Sequence, residues 1–333
     1  MIRFLTVGFL LLIFCSVDVI AQDSHYSQFY NSPLTLNPAI TGKINGTFRI
    51  AMNYRNQWFG ITTDHSPYVT PSASVDFPVR VNNDALGFGV MVKNDRSGGG
   101  RYNSLQTMGS AAYHKALGND ANHSLSLGIQ GGYHQKSIDL AKMEFGNQYN
   151  GEEFNTNLNS GENIDNTSVG FADFRPGLFW NGRFSDQINA YTGFSVFHIL
   201  EPSGAFLENT EFTLPRKYMA HGGLEYKLNK RFSLLPSVIY MKQSEAQEIN
   251  AGLAGSYRVT PDATVYAGGY FRVEEEAIAY LAVDIRDLRL GFSYDFPVSQ
   301  LREADGSFEV SLTYVGQVLQ GPDAETKLFC PRF

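Results

Sequence analysis

Hydrophobic and polar residues alternate with a period of two in the segment Leu288–Phe296, LRLGFSYDF. Every second residue from Leu288 is apolar, and the residues between are polar or small. A period of two places the two sets on opposite faces of an extended strand. The segments Ala279–Arg286 and Ser307–Tyr314 repeat the pattern. Antiparallel strands of about nine or ten residues, apolar outside and polar inside, are what a membrane-spanning β-barrel requires.

The same alternation recurs from Phe48 onward and predicts fourteen strands. In the first, Phe48–Arg55, both Arg49 and Arg55 should face the lumen, because a lipid-facing Arg costs about 2–4 kcal/mol at the membrane midplane. The others are predicted near Tyr68–Phe77, Ala85–Lys93, Ser104–Lys115, Ser124–Gln135, Gly170–Asn181, Ile188–Ile199, Arg216–Leu228, Phe232–Lys242, Ile249–Arg258, Thr264–Arg272, Ala277–Arg286, Leu288–Phe296 and Ser307–Val315. The sequence therefore predicts an all-β fold, a single transmembrane antiparallel β-barrel of about 14 strands over residues 47–315, with a mainly polar lumen.

One of these strands breaks the pattern. Phe232–Lys242 carries Leu235 and Ile239 on its lumen face and Pro236 on the other face. Proline cannot donate a hydrogen bond within a sheet, so a bulge or a shifted boundary is expected there.

The chain begins with the features of a secretory signal peptide, predicted to span residues 1–21. Arg3 supplies the positive charge, Leu5–Phe14 the apolar segment and Val19–Ala21 the small-residue cleavage site. Cys15 is preceded by residues too large for the usual lipoprotein site. Cleavage removes Cys15 and leaves Cys330 as the single cysteine, so no intrachain disulfide is possible.

Two segments lie outside the predicted barrel. Residues 22–46 contain Pro33 and Pro38 and show no sustained period, which predicts an irregular N-terminal arm. Residues 316–333 form a C-terminal tail, either a periplasmic extension or a segment in the barrel mouth. The long connections all follow odd-numbered strands, as surface loops do, which predicts periplasmic N- and C-termini. The arm and the tail should then face the periplasm, where they contact other components or plug the lumen.

The net charge and the aromatic residues indicate which classes of partner to expect. The formal net charge of −7 and the absence of basic clusters argue against nucleic acid. Aromatic residues near predicted strand ends fit the girdles that contact outer-membrane lipid at both interfaces. They are Tyr54, Trp58, Tyr68, Tyr113, Tyr133 and Trp180.

The sequence shows no signal for catalysis. Ser195 and His198 are an odd number of residues apart and should face opposite sides of a strand, which argues against a hydrolase pair. His198 is then expected to be a strand-end residue near the surface. None of the seven His residues has the spacing of metal ligands, and there is no Cys-x-x-Cys motif. We therefore expect no catalytic residue, cofactor or metal.

Two acidic groups and one thiol are further candidate sites. Glu274–Glu276 is predicted to be a solvated charge run on a surface loop rather than a cation site. The loop that carries Glu152, Glu153, Glu162 and Asp165 lacks EF-hand spacing, which favours a disordered or partner-facing loop over calcium binding. Cys330 remains open to lipidation or to a disulfide with a partner.

Several stretches together resemble a known family. They are SQFYNSPLTLNPAITG followed by NYRNQW, the loop AKMEFGNQYNGEEFN, the segment GFSVFHILEPSGAF and the terminal CPRF. The combination of the NPAITG arm with the CPRF ending closely resembles the PorP/SprF family of the type IX secretion system of Bacteroidetes. The matches run from the expected mature N-terminus to the last residue.

The resemblance implies a non-enzymatic outer-membrane barrel that supports the secretion and surface attachment of adhesin-type proteins, some of them used in gliding motility. Members are thought to recognise the C-terminal domain of the secreted partner. One branch also associates with a periplasmic peptidoglycan-binding lipoprotein. The expected partner-binding residues are Asn147, Gln148, Tyr149, Phe154, Cys330, Pro331, Arg332 and Phe333. Two alternatives stay open: a transporter of the fatty-acid-channel type for small hydrophobic ligands, and an outer-membrane lipid hydrolase.

Overall fold

The chain forms one closed β-barrel. A computed structural model describes residues 23–58, 68–98, 101–118, 122–155, 157–161, 166–206, 213–298 and 306–317. Fourteen antiparallel strands follow one another in sequence order around the barrel, and the last pairs with the first. No helix in these ranges is long and apolar enough to cross a membrane. The predicted single antiparallel barrel is confirmed.

All fourteen predicted strands are present, and several extend beyond their predicted ends. The bounds are β1 Phe48–Gln57, β2 Tyr68–Val81, β3 Asp84–Ser97, β4 Tyr102–Leu117, β5 His123–Ile138, β6 Ser168–Arg183, β7 Ile188–Phe197, β8 Lys217–Lys227, β9 Phe232–Gln243, β10 Ala246–Thr260, β11 Ala263–Arg272, β12 Glu276–Ile285, β13 Leu288–Pro297 and β14 Ser307–Gly316. The predicted signal peptide lies outside the described residues, as does the C-terminal tail from residue 318.

The two faces of the strands meet different surroundings, as the alternation predicts. Val90 and Leu281 are well exposed on the outer surface, whereas Asp295 and Glu309 are buried inside the barrel. Arg49 and Arg55 are also buried in the lumen, as predicted. Only this orientation spares the charged groups from contact with lipid.

The connections differ in length between the two ends of the barrel. The long connections, at residues 58–67, 139–167, 198–216 and 298–306, all lie at the end where β1 finishes. We call this the long-loop end and the opposite end the short-turn end. The long connections therefore follow odd-numbered strands, as the sequence predicts.

Residues 23–45 pack inside the barrel, and we call them the plug. They form three short helical turns, at Phe29–Asn31, Pro33–Leu36 (α1) and Pro38–Ile40. The plug begins at the long-loop end with Asp23 and reaches the short-turn end near Gly42. The segment expected to face the periplasm therefore lies along the lumen, which corresponds to the plugging alternative. Asp23 and the end of β14 lie at opposite ends of the barrel, so the prediction that both termini lie on one side is wrong for the described residues.

The lumen holds an apolar region among its polar side chains. Over β6 to β12, aromatic and apolar side chains such as Ile239 and Tyr270 pack against Phe29 and Tyr30 of the plug. Buried polar side chains such as Arg272 lie on the same strands, so the lumen of this half is mixed rather than mainly polar. The expected bulge in β9 is also wrong, because its register with β8 and β10 does not shift. The apolar lumen residues of β9, Leu235 and Ile239, belong to the cluster that packs against the plug.

Candidate functional site

Asn37 anchors the plug to β6 of the barrel wall. Its side-chain oxygen accepts a hydrogen bond from the Ala39 amide at 2.9 Å, which caps the turn that begins at Pro38. Its amide nitrogen donates to the Leu178 carbonyl of β6, also at 2.9 Å. One side chain therefore both starts the turn and attaches it to the barrel wall.

We expect Asn37→Ala to lower the free energy of unfolding by about 1–2 kcal/mol, because the cap and the bond to β6 are both lost. Urea unfolding in lipid vesicles, followed by Trp fluorescence, measures the change. Asn37→Ser keeps an acceptor for the cap and should recover part of the loss. Equal losses in the two variants would contradict a capping role.

Glycines let the plug approach the barrel wall. Gly42 has a φ of +70°, a conformation that L side chains rarely adopt. A Cβ atom on Gly87 of β3 would overlap the Thr41 carbonyl oxygen, and one on Gly128 of β5 would overlap the Ala39 backbone. The Ala39–Gly42 turn therefore packs directly against the strand backbone, with no side chain between them.

A buried ion pair lies near the short-turn end of the lumen. Arg49 makes a bidentate contact with Asp76, with Nε to Oδ1 at 2.9 Å and Nη2 to Oδ2 at 2.7 Å. The same carboxylate accepts the Gly42 amide at 2.6 Å. Because Asp76 is fully buried, its charge is compensated by these donors.

A larger ionic cluster holds the plug at the long-loop end. Ser27 accepts from Arg55 at 2.7 Å and from Arg272 at 2.9 Å, and donates to Asp295. The amide of Ser27 donates to Glu309 at 2.8 Å. All five residues are buried. The cluster therefore joins the plug to β1, β11, β13 and β14.

Glu276 belongs to this cluster, which corrects one prediction. It is buried and pairs with Arg272, whereas it was expected to be part of a solvated run with Glu274 and Glu275. The side chain of Glu275 is about half exposed. The charge run is therefore only partly solvated, because β12 begins at Glu276 and turns its side chain into the lumen.

Two titratable groups of the plug are shifted by their surroundings. Burial lowers the pKa of the His25 imidazole to about 4, although Glu248 lies 2.9 Å from it. Burial by itself would raise the pKa of Asp23, but His198, Lys217 and Lys93 outweigh it and hold that pKa well below its usual value. Asp23 is therefore an anion at neutral pH.

His198 has an environment that the sequence did not indicate. It follows β7 with a φ of +56°, so the strand alternation ends before it, and its side chain is fully buried in the barrel. The prediction of a His near the surface is wrong, and so is the prediction of opposite faces, since Ser195 is also buried. Ser195 donates to the Leu36 carbonyl, while His198 Nε2 lies 2.5 Å from Asp23. The two residues thus have separate partners.

His198, His134 and Asp173 lie together although they come from different strands. One nitrogen or oxygen from each lies within 4.8 Å of the others, and all three side chains are fully buried. Sequence spacing gave no sign of this group, because it depends on the register in which β5, β6 and β7 pair.

The loop after β5 carries the described partner-binding candidates. Tyr149 and Phe154 pair as an antiparallel bridge, and their rings lie 5.1 Å apart with about half of each side chain exposed. Gln148 is buried and donates to the Leu158 carbonyl at 3.0 Å, and Asn147 lies beside Gly161. The other candidates, Cys330, Pro331, Arg332 and Phe333, lie outside the described residues, as do Glu162 and Asp165. Glu152 and Glu153 are exposed.

The profile of a known family, described as the type IX secretion system membrane protein PorP/SprF, matches residues 19–314. The chain belongs to the PorP/SprF family. This assignment covers the plug and almost the whole barrel, and it confirms the resemblance of the NPAITG segment. As a PorP/SprF protein with an outer-membrane barrel, it is an outer-membrane component of type IX secretion. No curated protein matches the chain.

Solved structures with a similar fold are outer-membrane channels. The toluene transporter TbuX of Ralstonia pickettii aligns with a TM-score of 0.52 at 11% identity, covering 87% of this chain and 94% of TbuX. The toluene transporter TodX of P. putida gives 0.52 at 10% identity, covering 87% of this chain and 95% of TodX. At this identity the similarity establishes the barrel fold of this PorP/SprF protein and nothing about its ligand.

Proposed function

We propose that this PorP/SprF protein retains a secreted adhesin-type partner at the cell surface by binding the partner's C-terminal domain. The proposal rests on the folded loop at the long-loop end, which presents Tyr149 and Phe154 side by side. Exposed aromatic side chains held in a fixed geometry are typical of the residues that contribute most to protein interfaces.

The loop holds these rings in place by its own hydrogen bonds. The Asn150 side chain accepts the amides of Glu152 and Glu153, each at 2.9 Å. The Asn155 amide donates to the Gln148 carbonyl at 2.8 Å. A partner would therefore meet a surface that loses little conformational entropy on binding.

The plugged lumen supports attachment over transport. Two enclosed lumen cavities, one beside Tyr30 and one beside His25, each hold about 20 Å³. This is room for about one water molecule, whereas ligand pockets usually hold about 300–1,000 Å³. Neither cavity has room for a monoaromatic or fatty-acid ligand, so we place the transporter second.

The proposal implies one orientation of the barrel in the outer membrane. The long loops face the cell exterior, and the start of β1 and the end of β14 lie on the periplasmic side. The end of β14 then faces the periplasm, where the machinery and a peptidoglycan-binding lipoprotein would be accessible. Asp23 lies at the outer mouth, at the opposite end of the lumen.

The first test is a mild-detergent pull-down of the tagged protein from its native outer membrane. We expect a large secreted protein to co-purify in near-stoichiometric amount through its C-terminal domain. Recovery of the barrel alone, combined with uptake of a hydrophobic ligand, would overturn the attachment role.

We also expect the double change Tyr149→Ala and Phe154→Ala to reduce partner recovery at least about tenfold, since two hot-spot side chains of about 1–2 kcal/mol each are removed. Phe184→Ala is the matched control, because Phe184 is an exposed aromatic residue at the short-turn end. Unchanged recovery in the double variant would show that the partner binds elsewhere.

A further inference from the structure

We infer that His134, Asp173 and His198 form a zinc site inside the barrel, at the long-loop end of the lumen. The three side chains have no accessible surface and can bring one ligand atom each to within 4.8 Å of the others. Two imidazoles and one carboxylate form the ligand set of many three-residue zinc sites, which leave a fourth position for water.

Two polar atoms of the group have no hydrogen-bond partner. His134 Nδ1 and Asp173 Oδ1 are both buried without one. His198 Nδ1 forms an ion pair with Asp173 Oδ2 at 3.0 Å, so these two residues already lie close enough to share one cation. Buried polar atoms without a partner are costly, and a bound cation would satisfy His134 Nδ1 and Asp173 Oδ1.

The remaining polar atom of each residue is held from outside the group. His134 Nε2 lies 2.7 Å from the Ser104 hydroxyl, and His198 Nε2 lies 2.5 Å from Asp23 Oδ2. Asp173 Oδ2 accepts from Arg175 at 2.8 Å. Metal-binding imidazoles usually donate their other nitrogen in this way, often to a carboxylate, which fixes the tautomer and aims the free nitrogen at the ion.

The site would link the plug to the wall. The three ligands come from β5, β6 and the residue after β7, while Asp23 belongs to the plug. A zinc ion at about 2.0–2.2 Å from each ligand would draw the three segments together. It would also fix His198, and through it the first residues of the plug. The ion would hold these segments together, with one enclosed water molecule at its fourth position.

The test measures zinc binding to the full-length protein in detergent. The protein is treated with a chelator, checked for folding by its heat-dependent shift on gels, and titrated with Zn²⁺ alone. We expect one zinc per chain, with a visible absorption band typical of four-coordinate nitrogen and oxygen ligation when Co²⁺ replaces zinc. We also expect the melting temperature to rise when zinc is restored.

Substitutions of the ligand residues test whether the ion binds at this group. His134→Gln and Asp173→Asn should weaken zinc binding more than about 100-fold, and Asp23→Asn about 10- to 100-fold, because it only orients His198. His114→Ala is the control, since His114 is also a buried lumen histidine but lies beside Ser126 and Thr41. Absence of bound zinc in the folded wild-type protein, or equal binding in all variants, would overturn the proposal.

Discussion

Replacing Arg272 by Met should lower the free energy of unfolding by about 3–5 kcal/mol, the usual cost of breaking a buried ionic network from one side. Arg272 is fully buried, contacts Glu248 at 2.9 Å, and also pairs with Glu276. Met is apolar and of similar length, so the lost volume is small and the main effect is on charge. The carboxylates left behind would be buried with too few donors.

Arg286→Met is the matched control for this change. The Arg286 side chain is 77% exposed and lies 3.9 Å from Asp262, so its removal should cost at most about 1 kcal/mol. Urea unfolding in lipid vesicles measures both variants. If the two losses are equal, the cluster around Ser27 does not stabilise the plugged barrel.

Gly87→Leu should displace the plug from the short-turn end. A side chain at this position would overlap the Thr41 carbonyl, and the plug turn is more easily moved than a strand of the barrel. We expect a loss of about 3 kcal/mol in unfolding free energy, the upper range for overpacking. Ion conductance in planar bilayers should also appear, because the lumen is no longer filled.

Gly109→Leu provides the control for the added volume. Gly109 is exposed on the outer face of β4, and the nearest atom to an added Cβ lies 3.8 Å away. This variant should keep the stability of the wild-type protein and conduct no ions. A Gly87→Leu protein that is as stable and as closed as wild type would contradict the close contact between the plug and β3.

The barrel could be predicted because each strand carries its own signal, the alternation of apolar and polar residues. A strand between lipid and a lumen must alternate, so Leu288–Phe296 reveals its structure without knowledge of its neighbours. Loop lengths gave the asymmetry of the two ends by the same kind of local reasoning. The errors at strand ends, such as in β10, arose because pairing with a neighbour extends a strand beyond its apolar run.

The partner-binding candidates could be predicted only through resemblance to a family. Nothing in the local pattern of Asn147–Phe154 indicates that Tyr149 and Phe154 pair with each other. That contact depends on the turn at Asn150, whose side chain organises the loop. The side-by-side arrangement of the exposed rings therefore became visible only in the folded loop.

The sequence by itself determined the strands, the closed barrel and the lumen position of Arg49 and Arg55. Only the tertiary structure decided what fills the lumen. The plug has no period, and its partners are distant in the chain, as in the contact of Ser27 with Asp295. The group of His134, Asp173 and His198 likewise forms only when three segments come together. Periodicity indicates whether a residue faces lipid or the lumen, but contacts between distant segments leave no periodic signal in the sequence.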